Sequence, residues 1–386
     1  MRTPLAWRNL IHERTRLLVA IAGVTFAVTI IFMNLGFLGA LALTANQTYS
    51  SINANLFLIS PLTLELSTTE PFPIERIYQA SGINGVTHVM PMYVGYGQWR
   101  NPETRINRAM LMYGVNPDDS VFSLPELQKG VAQEALRQPN TVLFDQRSRP
   151  EFGPQSPGTE TELERRTVTI VGNYGLGGGF AADGTIITSD LNFARYLEPR
   201  PLSLIDFGLI QVEDRYLEDA AALNDLKQRI QAQLPEDVLT FTQAEMAERD
   251  RAYWIETTAA GFIFSMGVAV AMVVGTVIVY QILYTDIANH MAEFATLKAM
   301  GYRSTYLFKV VIEEAMILAC LGYGPGFLVA ISLYALARQA TGGTLPVYMD
   351  AERAIWVFML TLIMCTLSGL VSVQKAVQAD PAEVFS

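Results

Sequence analysis

The 386-residue sequence has little of what most enzymes and soluble domains are built from. It has two cysteines, three histidines and only 17% charged residues, where a soluble domain carries about 25%. Cys320 and Cys365 both fall in apolar runs, which excludes a disulfide framework and metal-ligand spacing and leaves a packing role. His12, His88 and His290 are scattered, with no HExxH and no cysteine beside them, so no metal site is expected. No GxxxxGK[ST] occurs, so these residues do not cradle ATP phosphates and no cofactor is expected. Gly177 to Ala182, GGGFAA, fits GxGxxA only formally. It is followed by Asp183-Gly184 and a strand-like run instead of a helix, and reads as a turn.

What fills the space is apolar: 51% of the residues are hydrophobic, as in an integral membrane protein. No charged residue or histidine interrupts Leu17–Leu43, Thr257–Thr285, Ala315–Ala337 or Ala354–Gln374, and each run can cross a hydrocarbon core of about 30 Å. The first is too long for a signal-peptide core of about 7–15 residues. The formal charge of −10 is uneven: residues 44–258 hold 17 Lys and Arg against 28 Asp and Glu. An acidic aqueous domain is therefore joined to a nearly neutral membrane part, which argues against a nucleic-acid partner.

The fold class expected is a membrane protein of four transmembrane α-helices, with a large α+β extracytoplasmic domain inserted between the first and second. The expected organisation begins with a cytoplasmic amphipathic helix over residues 1–16 (Pro4 early; Trp7, Leu10 and Ile11 on one face) and a first span over 17–45. The α+β domain covers 46–250, with an inserted subdomain at about 117–200 in a Pro- and charge-rich stretch. A second span with its stalk covers 251–285, a cytoplasmic amphipathic helix and turn 286–309, and a third span 310–337. A short outer loop over 338–353, a fourth span over 354–374 and a tail over 375–386 complete the chain. Strand-like runs are Asn55–Ile59, Val86–Tyr96, Ala109–Val115, Thr167–Val171, Thr185–Thr188 and Phe207–Val212; helical runs include Ile74–Ala80, Leu191–Tyr196 and Leu217–Leu234.

Arg2, Arg8, Arg14, Arg16, Lys298, Arg303, Lys309 and Lys375 flank one end of the spans. Arg338 and Arg353, offset by Asp350 and Glu352, flank the other. The richer end faces the cytoplasm by the positive-inside rule, which puts both termini there and makes the chain a multi-pass protein of the plasma (inner) membrane.

Two patterns suggest where force or cargo is handled. In 286–309, Ile287, Met291 and Phe294 share one side of a helix that Gly301 ends, and Ser304 can cap the next. An apolar patch edged by charge suits either the lipid surface or the groove of a protein partner. Small residues also recur at fourfold spacing: Gly267, Ala271 and Gly275 in the second span, and Gly322, Gly326 and Ala330 in the third. Such stripes serve helix packing or dimerisation. Uncharged spans argue against polar cargo passing between these helices.

The LAWRNL start, EFATLKAMGY after the second span, ADPAEVF at the end, ISPLT at Ile59–Thr63 and DGTIITSDL at Asp183–Leu191 resemble the MacB/FtsX-like permease family of ABC transporters, and within it the DevC-type exporter permeases. The resemblance covers the full chain. It implies a non-catalytic permease that works as a homodimer with a separate cytoplasmic ABC ATPase, a periplasmic membrane-fusion adaptor and a TolC-like outer-membrane channel. It also implies that the helix around Met291–Gly301 is a coupling helix whose ATPase interface is formed by Met291, Glu293, Phe294, Leu297, Lys298, Met300, Gly301, Tyr302 and Arg303. Two alternatives stand beside it: an FtsX-like regulator of an extracytoplasmic cell-wall hydrolase, and a membrane-anchored receptor.

Overall fold

The computed structural model describes residues 14–127, 131–177, 179–198, 200–291, 296, 300, 304–341 and 345–378. The amphipathic helix expected over 1–16 lies almost wholly outside them.

Among the described residues, four helices are long and apolar enough to cross a membrane. They are α1 (Arg14–Ser50), and three helices that close the chain, Ala259–Asn289, Ser304–Ala340 and Ala351–Gln378. The chain divides into two units. One holds residues 1–39, 259–337 and 347–386; the other holds residues 40–258 and 338–346.

In the second unit the chain after α1 enters β1 (Leu56–Ile59), β2 (Phe72–Pro73), α2 (Glu75–Ser81), β3 (Val86–Arg100) and β4 (Asn107–Val115). It continues through α3 (Val131–Leu136), β5 (Thr141–Asp145), β6 (Glu160–Leu163), β7 (Arg166–Tyr174), β8 (Thr185–Ser189) and α4 (Asp190–Tyr196). The unit ends with β9 (Leu204–Ile205), β10 (Phe207–Val212), α5 (Ala220–Gln233), β11 (Leu239–Thr242) and α6 (Gln243–Ala252). Nine of these strands form one sheet in the order β11-β1-β10-β3-β4-β8-β5-β7-β6, and β6 also pairs with the far end of β3. Most pairings are antiparallel, but β4–β8 and β5–β7 are parallel, as an α+β domain with crossover connections allows.

Both faces of the sheet are covered. Leu58, Trp99, Met112, Phe144, Ile186 and Phe193 belong to one buried cluster, while Phe57, Leu111, Tyr113, Leu143 and Ile187 belong to the other. Successive residues thus alternate between two cores, the period-two consequence of a strand buried on both sides. That is why β1, β5 and β8 are buried at every position. The buried Asp206 carboxylate is matched: it accepts from Thr69 Oγ1 at 2.6 Å, Val94 N at 2.8 Å and Arg200 Nη2 at 2.5 Å.

In the glycine-rich stretch after β7, residues 179–181 form a turn. Gly177 and Gly179 have φ of +86° and +57°, a region open to glycine at little cost. Asp145, at the end of β5, holds the turn by accepting from Leu176 N, Gly177 N and Thr185 Oγ1. Burial pushes the Asp145 carboxyl up, against the pull of those donors.

Candidate transmission site

Four long apolar helices pack against one another. We label the last three α7 (Ala259–Asn289), α8 (Ser304–Ala340) and α9 (Ala351–Gln378). Within the first unit, the small-residue stripes mark where backbones approach. A Cβ on Gly322 would lie 2.4 Å from Val24 Cβ, and one on Gly326 would lie 2.7 Å from Val28 Cγ1; Ala330, one turn on, is fully buried. On α7, a Cβ on Gly267 would meet Asn34 Oδ1 at 2.2 Å, and one on Gly275 would meet Met364 Sδ at 2.2 Å and Ala27 Cβ at 2.8 Å; Ala271 between them is buried. These stripes face other helices of the same chain.

Close approach brings hydroxyls within reach of neighbouring carbonyls. Thr25 Oγ1 donates to Gly322 O at 3.1 Å and Ser368 Oγ to Thr276 O at 2.8 Å. Tyr334 OH donates to Phe32 O. In hydrocarbon such bonds add roughly 0.6 kcal/mol each, so they set register more than they set stability.

A polar cluster sits where α1 begins and α7 ends. Arg16 Nη1 is 3.8 Å from Asp286 Oδ1. Asn289 Oδ1, in the amide orientation that satisfies both side chains, accepts from Arg16 Nη1 and Nη2 at 3.0 and 2.7 Å. His290 Nδ1 lies 3.0 Å from the Asp286 carbonyl and 3.7 Å from its carboxylate. Asp286 is 4% exposed, so its charge depends on these partners. In the sequence, Arg16 is one of the cations that flank the spans, and Asp286, Asn289 and His290 fall on the polar side of the amphipathic run that follows the second span. Nothing in their local spacing signals that the two helix ends meet.

The interface residues expected from sequence are only partly described. Met291 is half-buried and packs, with Phe308, on the cluster of Ile287, Val311 and Val373. Met300 is exposed, and its N–H donates to Thr296 O at 3.0 Å. Glu293, Phe294, Leu297, Lys298, Gly301, Tyr302 and Arg303 lie outside the described residues. Beyond the turn, Lys309 approaches Glu313 at 3.9 Å and Glu314 is fully buried. Among the described residues, no group of three or more His, Cys, Asp or Glu is placed to hold a metal ion. His88 faces Asp119 at 3.1 Å on the surface.

Four apolar helices, with an α+β domain between the first and second, define the class of this protein as a multi-span membrane protein with a large inserted domain. Residues 17–233 match the model of the MacB-like periplasmic core domain, and residues 265–381 match that of the FtsX-like permease C-terminal domain. The chain belongs to the MacB/FtsX-like permease family.

An uncharacterised ABC transporter permease protein of Mycobacterium tuberculosis is 22% identical over 339 residues, which is 85% of this chain and 37% of that protein. The macrolide export ATP-binding/permease protein MacB of Bordetella avium is 22% identical over 127 residues, 33% of this chain and 19% of that protein. The chain thus spans well under half the length of either relative. Two solved structures align with part of the chain. The periplasmic region of MacB from Actinobacillus actinomycetemcomitans covers 54% of this chain and 95% of its own, at 11% identity and a TM-score of 0.36. The extracellular domain of the noncanonic ABC-type transporter YknZ from Gram-positive bacteria covers 49% and 100%, at 17% identity and a TM-score of 0.31.

Proposed function

We propose that this chain is the permease subunit of a tripartite ABC exporter. A separate cytoplasmic ATPase supplies the motion, a homodimer of this chain transmits it, and the domain between the first two spans pushes substrate into a periplasmic membrane-fusion adaptor and a TolC-like outer-membrane channel. In this reading both termini and residues 286–309 are cytoplasmic, and the segment around Met291–Arg303 seats on the ATPase. Residues 46–250 are periplasmic, with a porter-like part and an inserted subdomain over about 117–200.

The observation that carries the reading is the polar cluster of Arg16, Asp286, Asn289 and His290. It ties the start of α1 to the end of α7 directly before the chain enters the proposed coupling segment. A displacement of that segment therefore reaches both helices that lead to the α+β domain. One sequence fact supports the same reading: the middles of the spans carry no ionisable pathway.

The test is co-purification of the tagged full-length chain with a co-expressed ABC ATPase. Phe294→Asp combined with Lys298→Glu should abolish association, while the surface change Leu62→Asp in the α+β domain should leave it intact. Unchanged association in the double variant would remove the interface assignment. Crosslinking of the α+β domain to a membrane-fusion adaptor separates export from control of a cell-wall hydrolase, which would appear in its place.

A further inference from the structure

The chain leaving α6 does not pass straight into α7. Tyr253–Thr257 form a π-helical turn, a rare departure that concentrates at functional positions. Immediately before it, Asp250 is 2% exposed. Its Oδ2 accepts from Tyr49 OH, near the C-terminal end of α1, at 3.0 Å and from Leu66 N, in the loop after β1, at 3.1 Å. Its Oδ1 is buried and makes no hydrogen bond among the described residues. One side chain on α6 thus holds two other segments of the same unit.

Tyr49 is fixed as well as buried: its ring meets Phe57 of β1 edge-on at 5.6 Å and 86°. Glu65, 2% exposed, stands beside Leu66 and accepts from Ser67 N and Oγ at 2.9 and 2.5 Å. A cavity of about 30 Å³ borders the group, lined in part by Thr44, Thr48, Glu65, Tyr113, Asp250 and Trp254. It has the room of a single water molecule.

We propose that Asp250 is a proton-operated latch: neutral, it clasps the end of α1 and the Glu65–Leu66 loop to α6, and ionised, it releases them. The charged and titratable groups around it are Tyr49 on α1, Glu65 on the loop, Tyr113 on β4 and Arg249 on its own helix. Burial is the largest influence and raises the Asp250 carboxyl, Glu65 adds to the rise, and the Leu66 N–H, Tyr49 hydroxyl and Arg249 oppose it. The balance lies at about 7.

The sign follows from linkage. Opening exposes the carboxyl to water, where its pKa falls to about 4. The closed form therefore binds the proton more tightly, and its advantage, full in acid, is lost as pH rises through about 7. From pH 6 to pH 8 the closed-to-open ratio falls about tenfold. The latch rests on the geometry of the α+β unit alone and does not need the ATPase assignment.

The experiment is amide hydrogen exchange on the full-length protein in lipid nanodiscs from pH 5.5 to 8.5, corrected for intrinsic exchange, followed in the peptides that contain Leu66 and residues 243–257. Opening should rise about tenfold between pH 6 and pH 8. Asp250→Asn should abolish that dependence. Glu65→Gln, which removes the neighbouring charge and keeps Asp250, should move the midpoint to lower pH and reports even where Asp250→Asn does not fold. Unaltered profiles in both variants, or opening that increases on acidification, would overturn the proposal.

Discussion

Arg16 Nη1 lies 3.8 Å from the carboxylate of Asp286, which places the first residues of α1 against the last turn of α7. Asp286 is nearly fully buried and Arg16 about one-quarter exposed in its side chain. Removing the cation takes away part of what compensates a buried anion, a larger penalty than removing both charges. Arg16→Ala should therefore destabilise the bundle by about 2–3 kcal/mol, with Asp286→Asn in the same background recovering at least about 1 kcal/mol. Thermal unfolding of the four members of that double-mutant cycle, in one detergent, measures the coupling. Strictly additive losses would mean that the two groups do not interact.

How far such relationships can be read in advance depends on the distance over which a signal acts. Uncharged runs of more than twenty residues are local signals, and all four appear as helices in the structure. The runs read as strands at Val86, Ala109, Thr167, Thr185 and Phe207 also lie in β3, β4, β7, β8 and β10, because alternation against two cores is local too.

What was hidden is instructive. β5, TVLFD, sits in a stretch whose prolines and charges suggest loops, yet every residue is buried. The β6–β7 hairpin turns on Glu164 and Arg165 at φ of +49° and +63°, with neither Gly nor Asn to announce it. The contact of Arg16 with Asp286, like that of Tyr49 with Asp250, joins residues far apart in the chain, and no periodicity encodes such a pairing.

The glycines of α8 offer an internal control. A Cβ at position 322 meets Val24 at 2.4 Å, whereas one at Gly324 meets nothing within 4 Å. Gly322→Ala should lower stability by about 1–3 kcal/mol through overpacking. Gly324→Ala should be neutral or should raise it by up to about 1 kcal/mol, because alanine has the better helix propensity. Thermal unfolding of the two single variants checks both signs, and equal effects would remove the packing argument.

The start of α6 should respond to pH in the direction opposite to Asp250. Thr242 and Glu245 form a capping box, and Lys227 Nζ donates to Glu245 Oε1 at 2.6 Å. Burial alone would raise the Glu245 carboxyl, but the Lys227 ammonium and the Thr242 N–H outweigh it and hold the group below its ordinary value. The stability this contributes is present above the ordinary carboxylate pKa and is lost as pH falls through the lowered one. Glu245 is more than a third exposed, so the ion pair is worth less than about 1 kcal/mol. Thr242→Ala, which removes the cap itself, should cost about 1 kcal/mol. Hydrogen exchange at the Glu245 amide, which the Thr242 hydroxyl caps, should rise in the variant at neutral pH, and in the wild type should show a second rise in acid, separate from the rise above pH 6 that follows Asp250.

Orientation admits a direct measurement. Leu62, in the loop after β1, is 72% exposed and Met300, beyond α7, is 65% exposed, so both should accept a thiol label once exchanged for cysteine. The background needs Cys320→Ala, since that thiol is exposed, and Cys365→Ala for completeness. If residues 46–250 lie outside the membrane barrier and 286–309 inside, a membrane-impermeant maleimide added to cells with a permeabilised outer membrane should label Leu62→Cys and spare Met300→Cys. Opening the inner membrane with detergent should then label both. The reverse pattern would turn the protein over in the membrane, place the Arg16–Asp286 cluster on the outer side, and leave no cytoplasmic surface at 286–309 for a motor to grip.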